Sequence, residues 1–304
     1  MDYQSLIDTQ TWAFIKRTED WYPPETASFS IEQQRNIYDV MCKEFFVGYP
    51  EGVKVSNTPM GGVPCRHYSL GPSPKTVIYL HGGGFVVGGL ESHDDICAEI
   101  CSSTGLDVVS VDYRLSPEHK HPAAYDDALA VLTAVATQTK SPILLVGDSA
   151  GGNLAAALCH GTRGMGHNII GQVLIYPGLG GDINKGSYIE HANAPMLTRD
   201  DILFYKGVRC VAGAEPVQDP TYAPLHDTSF AGLPATSLIA AQCDPLCDDC
   251  ADYETALLAA NVPVTRVVAT GMVHGYLRAR TTVDRARKSF DYILSEINRL
   301  AQTA

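Results

Sequence analysis

Pro142-Ile143-Leu144-Leu145-Val146-Gly147-Asp148-Ser149-Ala150-Gly151-Gly152-Asn153-Leu154-Ala155-Ala156-Ala157-Leu158 decides the fold. It opens with a short apolar run of strand type and closes with an Ala-rich segment that is apolar all round, the pattern of a buried helix. Between them stands a G-x-S-x-G pentapeptide, Gly147 to Gly151. Strand, sharp turn and helix make a nucleophile elbow, which holds a strained serine with its hydroxyl exposed at the top of a sheet. The flanking glycines fit because a Cβ there would collide with the neighbouring strand and helix. The pentapeptide alone also describes a tight strand–helix turn with an idle serine. Its two flanks favour the elbow.

Upstream, His81-Gly82-Gly83-Gly84-Phe85 follows the strand-like Thr76-Val77-Ile78-Tyr79-Leu80. Three successive glycines let backbone N–H groups converge on one point, as stabilisation of a tetrahedral oxyanion requires. The N–H of the residue after the nucleophile joins such a loop. The expected donors are therefore Gly83, Gly84 and Ala150. A phosphate-cradling loop is disfavoured, since neither G-x-x-x-x-G-K-[ST] nor G-x-G-x-x-G opening a helix is present.

A serine hydroxyl needs a base, and the base an orienting carboxylate. The expected chain order is Ser, acid, His. Asp244 comes immediately after the apolar run Ser237-Leu238-Ile239-Ala240-Ala241 and its Gln242-Cys243 extension. Beyond it the chain has one histidine, His274, in Gly271-Met272-Val273-His274-Gly275 after the strand-like Val264–Val268. Asp248 and Asp249 are rival acids, but they fall on the first turn of the next helix, where the helix dipole favours acids anyway. Asp244 is the preferred acid, completing Ser149, Asp244 and His274 as catalytic residues.

HGGGF, Asp112-Tyr113-Arg114-Leu115-Ser116-Pro117-Glu118-His119, GDSAGG and DPLCDD closely resemble the hormone-sensitive-lipase-like branch of the α/β-hydrolases, from about Ile78 to the C-terminus. Bacterial members are mostly acetyl- and short-chain carboxylesterases. The resemblance implies the same triad and oxyanion donors, with His81 bracing the glycine loop. Three positions depart from it: Phe85 where many members have Trp, Lys120-His121-Pro122 where an aromatic usually precedes the proline, and Asp249 for a common Glu. Phe85 and Lys120 leave substrate preference open.

The map is an alternation of strands and helices. Strands are expected at 53–55, 66–69, 76–80, 107–111, 143–146, 172–176, 236–241 and 264–268, the first two as an antiparallel hairpin around Met60-Gly61-Gly62. Helices fall near 93–103, 123–138, 150–162 and 248–260, and a last one carries a one-sided stripe of Val283, Phe290, Ile293, Leu294, Ile297 and Leu300. This predicts an α/β-hydrolase fold, with a mostly parallel eight-stranded sheet flanked by helices. Residues 51–180 and 226–304 are read as its two core parts. Residues 1–50 and 181–225 break the alternation, and the resemblance implies that they meet as a helical cap. The N-terminal segment, with Trp12 and Trp21 beside Phe14 and Ile15, is expected to form part of the acyl-binding wall.

Acids outnumber bases 34 to 22, a net charge of −12, which opposes nucleic acid and anionic membrane as partners. No apolar run approaches ~18 residues, so no membrane span is expected. Met1-Asp2-Tyr3-Gln4 lacks the basic-then-apolar start of a secretion signal. Nine cysteines, an odd number in apolar or helical contexts, read as reduced thiols of a cytoplasmic protein. Cys243, Cys247 and Cys250 lack paired C-x-x-C knuckles, so neither metal nor organic cofactor is expected. The sequence thus points to a serine carboxylesterase for short, soluble acyl esters, a monomer or homodimer whose partner is a small-molecule ester. Amide or lactone hydrolysis and acyl transfer use the same triad. A receptor on this fold is the non-catalytic alternative, against which His274 speaks.

Overall fold

The computed structural model describes residues 1–23, 25–211 and 214–302; positions 24, 212, 213, 303 and 304 of the segments above lie outside the described residues. Eight strands form one sheet: β1 (Lys54–Asn57), β2 (Cys65–Ser69), β3 (Thr76–Leu80), β4 (Asp107–Val111), β5 (Ile143–Asp148), β6 (Ile169–Ile175), β7 (Thr236–Cys243) and β8 (Val264–Val273). Their order is β1-β2-β4-β3-β5-β6-β7-β8. β2 pairs antiparallel with β1 and β4, and all other pairs are parallel. The expected hairpin and the mostly parallel sheet are both present.

Helices fill the connections: α1 (Tyr3–Leu6), α2 (Thr9–Glu19), α3 (Ile31–Glu44), α4 (Asp94–Thr104), α5 (Ala123–Thr139), α6 (Ala150–Gly161), α7 (Ser187–Glu190), α8 (Arg199–Arg209), α9 (Cys247–Ala259) and α10 (Asp284–Gln302). Local chemistry fixes the starts of several. Ser30 with Gln33 caps α3 reciprocally, as Thr198 with Asp201 caps α8.

The central strands read as continuous apolar runs because both sheet faces are covered. Side chains alternate across the sheet. Val77 and Tyr79 join one core, with α4, α10 and the N-terminal residues Phe14, Ile15 and Met41. Ile78 and Leu80 join the other, with α5, α6 and α9. The predicted stripe of the last helix is buried, Phe290, Ile293, Ile297 and Leu300 completely. Each such side chain contributes about 1.5–3 kcal/mol of burial.

Candidate active site

Parallel register delivers the site residues to one edge of the sheet. Leu80 pairs with Gly147 and Asp148 with Ile175, so the glycine loop, Ser149 and Tyr176 emerge together. Cys243 pairs with Val273, and the next residues out are Asp244 and His274. Ser149 caps α6 at φ 54° and ψ −117°, the strained elbow conformation. Its N–H donates to Ile175 O at 2.9 Å, which ties the turn to β6. A Cβ at Gly151 would lie on the Leu80 carbonyl and 2.6 Å from His81 O. Only glycine lets α6 cross β3 so closely.

Ser149 Oγ lies 2.8 Å from His274 Nε2, and His274 Nδ1 lies 2.6 Å from Asp244 Oδ2. Asp244 is fully buried, and its Oδ1 accepts the Leu246 N–H at 2.9 Å. Both carboxylate oxygens are thereby fixed. The Tyr176 ring packs against the imidazole, centroids 4.8 Å apart. The rival acids point elsewhere. Asp248 accepts the Ser187 N–H, and Asp249 accepts the N–H groups of Leu179 and Gly181 and the Tyr188 hydroxyl. Burial pushes the Asp249 carboxyl up to about 7 although these three donors pull it down. Both acids anchor the 179–190 segment to α9.

Gly83 and Gly84 turn at φ 122° and 62°, facing Ala150 at the start of α6. Their three N–H groups have no acceptor within the described protein. The loop is braced from below. His81 stacks on Tyr113 at 4.2 Å and donates from Nδ1 to Gly82 O at 2.7 Å, and burial lowers its pKa to about 4, which keeps it neutral. Burial alone would raise the Asp148 carboxyl. His93 and the Tyr79 hydroxyl instead hold it well below the usual carboxylate range, and it accepts the Gly82 N–H.

A cavity of about 1310 Å³ opens over these groups, lined by Gly83, Gly84, Ser149, Ala150 and His274 below and by parts of residues 18–41 and 180–226 above. The N-terminal segment thus reaches the cavity, but not through the residues expected. Tyr22, Tyr38 and Met41 line it, whereas Phe14 and Ile15 are buried in the core and Trp12 and Trp21 pack against that core. The amphipathic geometry of α2 explains the correction. Its buried residues Phe14 and Ile15 join the core cluster, where Phe14 packs edge-on against Phe45 with centroids 5.4 Å apart.

The positions left open by the sequence meet α8. The Arg209 guanidinium lies 3.7 Å from the centroid of the Phe85 ring, and Lys120 Nζ donates to Cys210 O at 3.1 Å. Arg209 also donates to Asn153 Oδ1 at 3.2 Å, joining α8 to α6, the helix that Ser149 opens. Asn153, Tyr176 and Arg209 were not singled out from the sequence, where no motif marks them. All nine cysteines are free, eight of them buried. Among the described residues no group of three His, Cys, Asp or Glu is arranged to hold a metal ion, Cys243, Cys247 and Cys250 included.

Residues 77–278 match the family model of the alpha/beta hydrolase fold. Esterase LipI of Mycobacterium tuberculosis is 40% identical over 210 residues, which cover 66% of this chain and 65% of that protein. An acetyl esterase of Salmonella typhi is 31% identical over 298 residues, 92% of this chain and 91% of that one. A thermostable esterase from Pseudomonas putida superposes with a TM-score of 0.89 at 24% identity, over 96% of this chain and 97% of that one, and so shares the fold. Elbow, sheet order and a matched stretch that takes in Ser149, Asp244 and His274 agree: the chain belongs to the α/β-hydrolase fold family.

Proposed function

We propose that this protein is a serine carboxylesterase of the hormone-sensitive-lipase-like branch, acting on short-chain acyl esters. The observation that carries it is the relay Asp244–His274–Ser149, at 2.6 and 2.8 Å, beneath a cavity floored by three unpaired N–H groups. Ser149 attacks the ester carbonyl while His274 Nε2 takes the hydroxyl proton. Asp244 holds the Nδ1–H tautomer and stabilises the imidazolium. The oxyanion is received by Gly83, Gly84 and Ala150 N–H. His274 then protonates the leaving alcohol, and water, activated by the same histidine, releases the acid from the acyl-enzyme. Residues 1–50 and 181–225 serve as the cap, which the lining of the cavity supports. The names of the relatives, esterase and acetyl esterase, support the ester bond and the small acyl group.

A cytoplasmic location agrees with nine unbridged thiols. Among the described residues no helix is long and apolar enough to cross a membrane. The test is pre-steady-state hydrolysis of 4-nitrophenyl acetate. A burst of one nitrophenol per chain is expected, together with loss of ~10⁴–10⁶-fold in kcat on Ser149→Ala. A variant retaining a tenth of parental turnover would remove Ser149 from the role of nucleophile.

A further inference from the structure

Thirteen arginines occur in this chain. Ten of them hold a carboxylate in an ion pair. With 34 acids available, pairing is the rule. Among the described residues the exceptions are Arg199, Arg209 and Arg278, and the last two line the cavity. A guanidinium is always charged, and burying it without a counter-charge is expensive. Two such groups in one cavity call for an explanation.

Arg209 has one in the protein itself. Its guanidinium lies between the faces of Phe85 and Tyr222 and donates to Tyr222 O and Asn153 Oδ1. It pins the end of α8. Arg278 is different. It is only 8% exposed, its Nη2 donates to the Tyr38 hydroxyl, its guanidinium also hydrogen-bonds the neutral Cys42 thiol, and its Nε is buried with no acceptor among the described residues. The Cys42 thiol and the phenols of Tyr22, Tyr38 and Tyr176 surround it, and none of these is an anion at neutral pH. Asp148 lies within its field but is already engaged by Tyr79, Gly82 N–H and His93. Arg278 Nη1 also sits 3.5 Å from where a Cβ on Gly275 would be, next to His274. The acids of the lining, Glu19, Asp182, Asp200 and Asp201, are exposed at its mouth.

We infer that Arg278 is a carboxylate-recognition residue of the active-site cavity, so that the preferred substrate is an ester carrying a second, free carboxylate. A guanidinium binds a carboxylate through charge-assisted N–H···O bonds, and Nη1, the end of Arg278 beside Gly275, is the group placed to donate into the cavity. The inference rests on the esterase reading above. It concerns specificity: the carboxylate sits on the acyl part, as in a half-ester of a dicarboxylic acid, or on the alcohol part, as in an ester of a hydroxy acid. A charge-assisted pair of this kind is worth on the order of 10–100-fold in kcat/KM. The net charge of −12 opposes anions at long range, so the preference has to arise from this local contact.

Two pairs of esters test it. For the acyl arm they are 4-nitrophenyl hemisuccinate and its methyl ester; for the alcohol arm, 4-acetoxybenzoate and its methyl ester. The quantity is the ratio of kcat/KM for anion over neutral ester within each protein, so that a generally weakened variant still reports. The ratio should exceed about 10 in one arm, fall 10–100-fold in Arg278→Met, recover in part in Arg278→Lys, and persist in Arg209→Met. Since Arg278→Met also loses the bond to Tyr38, a second reading uses the parental protein. Succinate (acyl arm) or 4-hydroxybenzoate (alcohol arm) should inhibit neutral-ester hydrolysis competitively. A parental ratio near or below one in both arms, a ratio unmoved in Arg278→Met, its loss in Arg209→Met instead, or absence of inhibition by both anions overturns the inference. If the neutral esters are still hydrolysed in a Ser149-dependent way, the esterase reading survives that result. No Ser149-dependent turnover of any of the four esters overturns both.

Discussion

Replacing Asp244 by asparagine separates the orienting role of a carboxylate from mere polarity. The aspartate uses both oxygens, Oδ2 on His274 Nδ1 at 2.6 Å and Oδ1 on the Leu246 N–H at 2.9 Å, with no solvent exposure. Asparagine has one oxygen. If it keeps the bond to Leu246, its NH₂ faces His274 Nδ1, which must then accept. The imidazole proton moves to Nε2 and points at Ser149 Oγ, where no base remains. If the amide flips, the Leu246 N–H is left against an NH₂ in a buried site, a penalty of about 1–3 kcal/mol in stability. The first arrangement avoids that penalty and is the inactive tautomer. In triads generally that substitution lowers kcat by ~10⁴, about 5 kcal/mol of transition-state stabilisation. The assay is kcat with 4-nitrophenyl acetate, with thermal unfolding as the control for folding. Asp248→Asn should lose less than about tenfold, because Asp248 serves the Ser187 N–H rather than the imidazole. An Asp244→Asn enzyme within tenfold of the parent, or a worse loss at Asp248, would refute the assignment.

Gly84→Ala should abolish most activity while leaving the sheet folded, since its Cβ would press on the Tyr205 ring at 2.5 Å from a backbone at φ 62°; full activity would move the oxyanion donors elsewhere. Asp249→Asn should change the pH dependence of stability. With a folded pKa of about 7 against a reference of 3.8, the aspartate's extra stability is complete below about pH 4 and lost as pH rises through 7, a swing of up to about 4 kcal/mol. Denaturant melts of both proteins from pH 4 to 8 should show that difference shrinking upward, and parallel curves would contradict it. Tryptophan emission should hardly move when an acyl phosphonate occupies Ser149, because Trp12 and Trp21 pack on the core, whereas Tyr22→Ala should alter the acyl chain-length profile. A large emission shift would return the tryptophans to the acyl wall.

The chemistry of this fold is written in local runs, and local runs can be read. Strands β3 to β8 appeared where β-branched and apolar residues cluster, whereas β1 (Lys54–Asn57) and β2 (Cys65–Ser69) carry little of that signal, and the candidate triad followed from strand ends and chain order. β8 was read short because Ala269-Thr270-Gly271-Met272 lacks strand character, yet pairing with β7 carries it to Val273 and so to His274. Burial and cavity lining were harder to tell apart. Phe14 and Trp12 advertise a hydrophobic contact, and nothing in their spacing says with which surface. The Arg278–Tyr38 bond joins residues 240 apart and the Arg209–Asn153 bond residues 56 apart. No motif links such partners, because only the folded sheet brings them together.

The nine free thiols also give this protein a built-in clock of its own opening. Burial raises their pKa, to about 11 at Cys101 and Cys243 and about 12 at Cys65 and Cys247, so thiolate is scarce as well as shielded. Alkylation of the eight buried thiols, all but the half-buried Cys247, therefore proceeds as fast as the surrounding structure parts. Cys42 lies in α3 and Cys210 just past α8, whereas Cys97, Cys159 and Cys250 lie in helices packed on the sheet. A cavity roof that breathes independently would be modified first at Cys42 or Cys210, with Cys97, Cys159 and Cys250 silent until the sheet itself gives way.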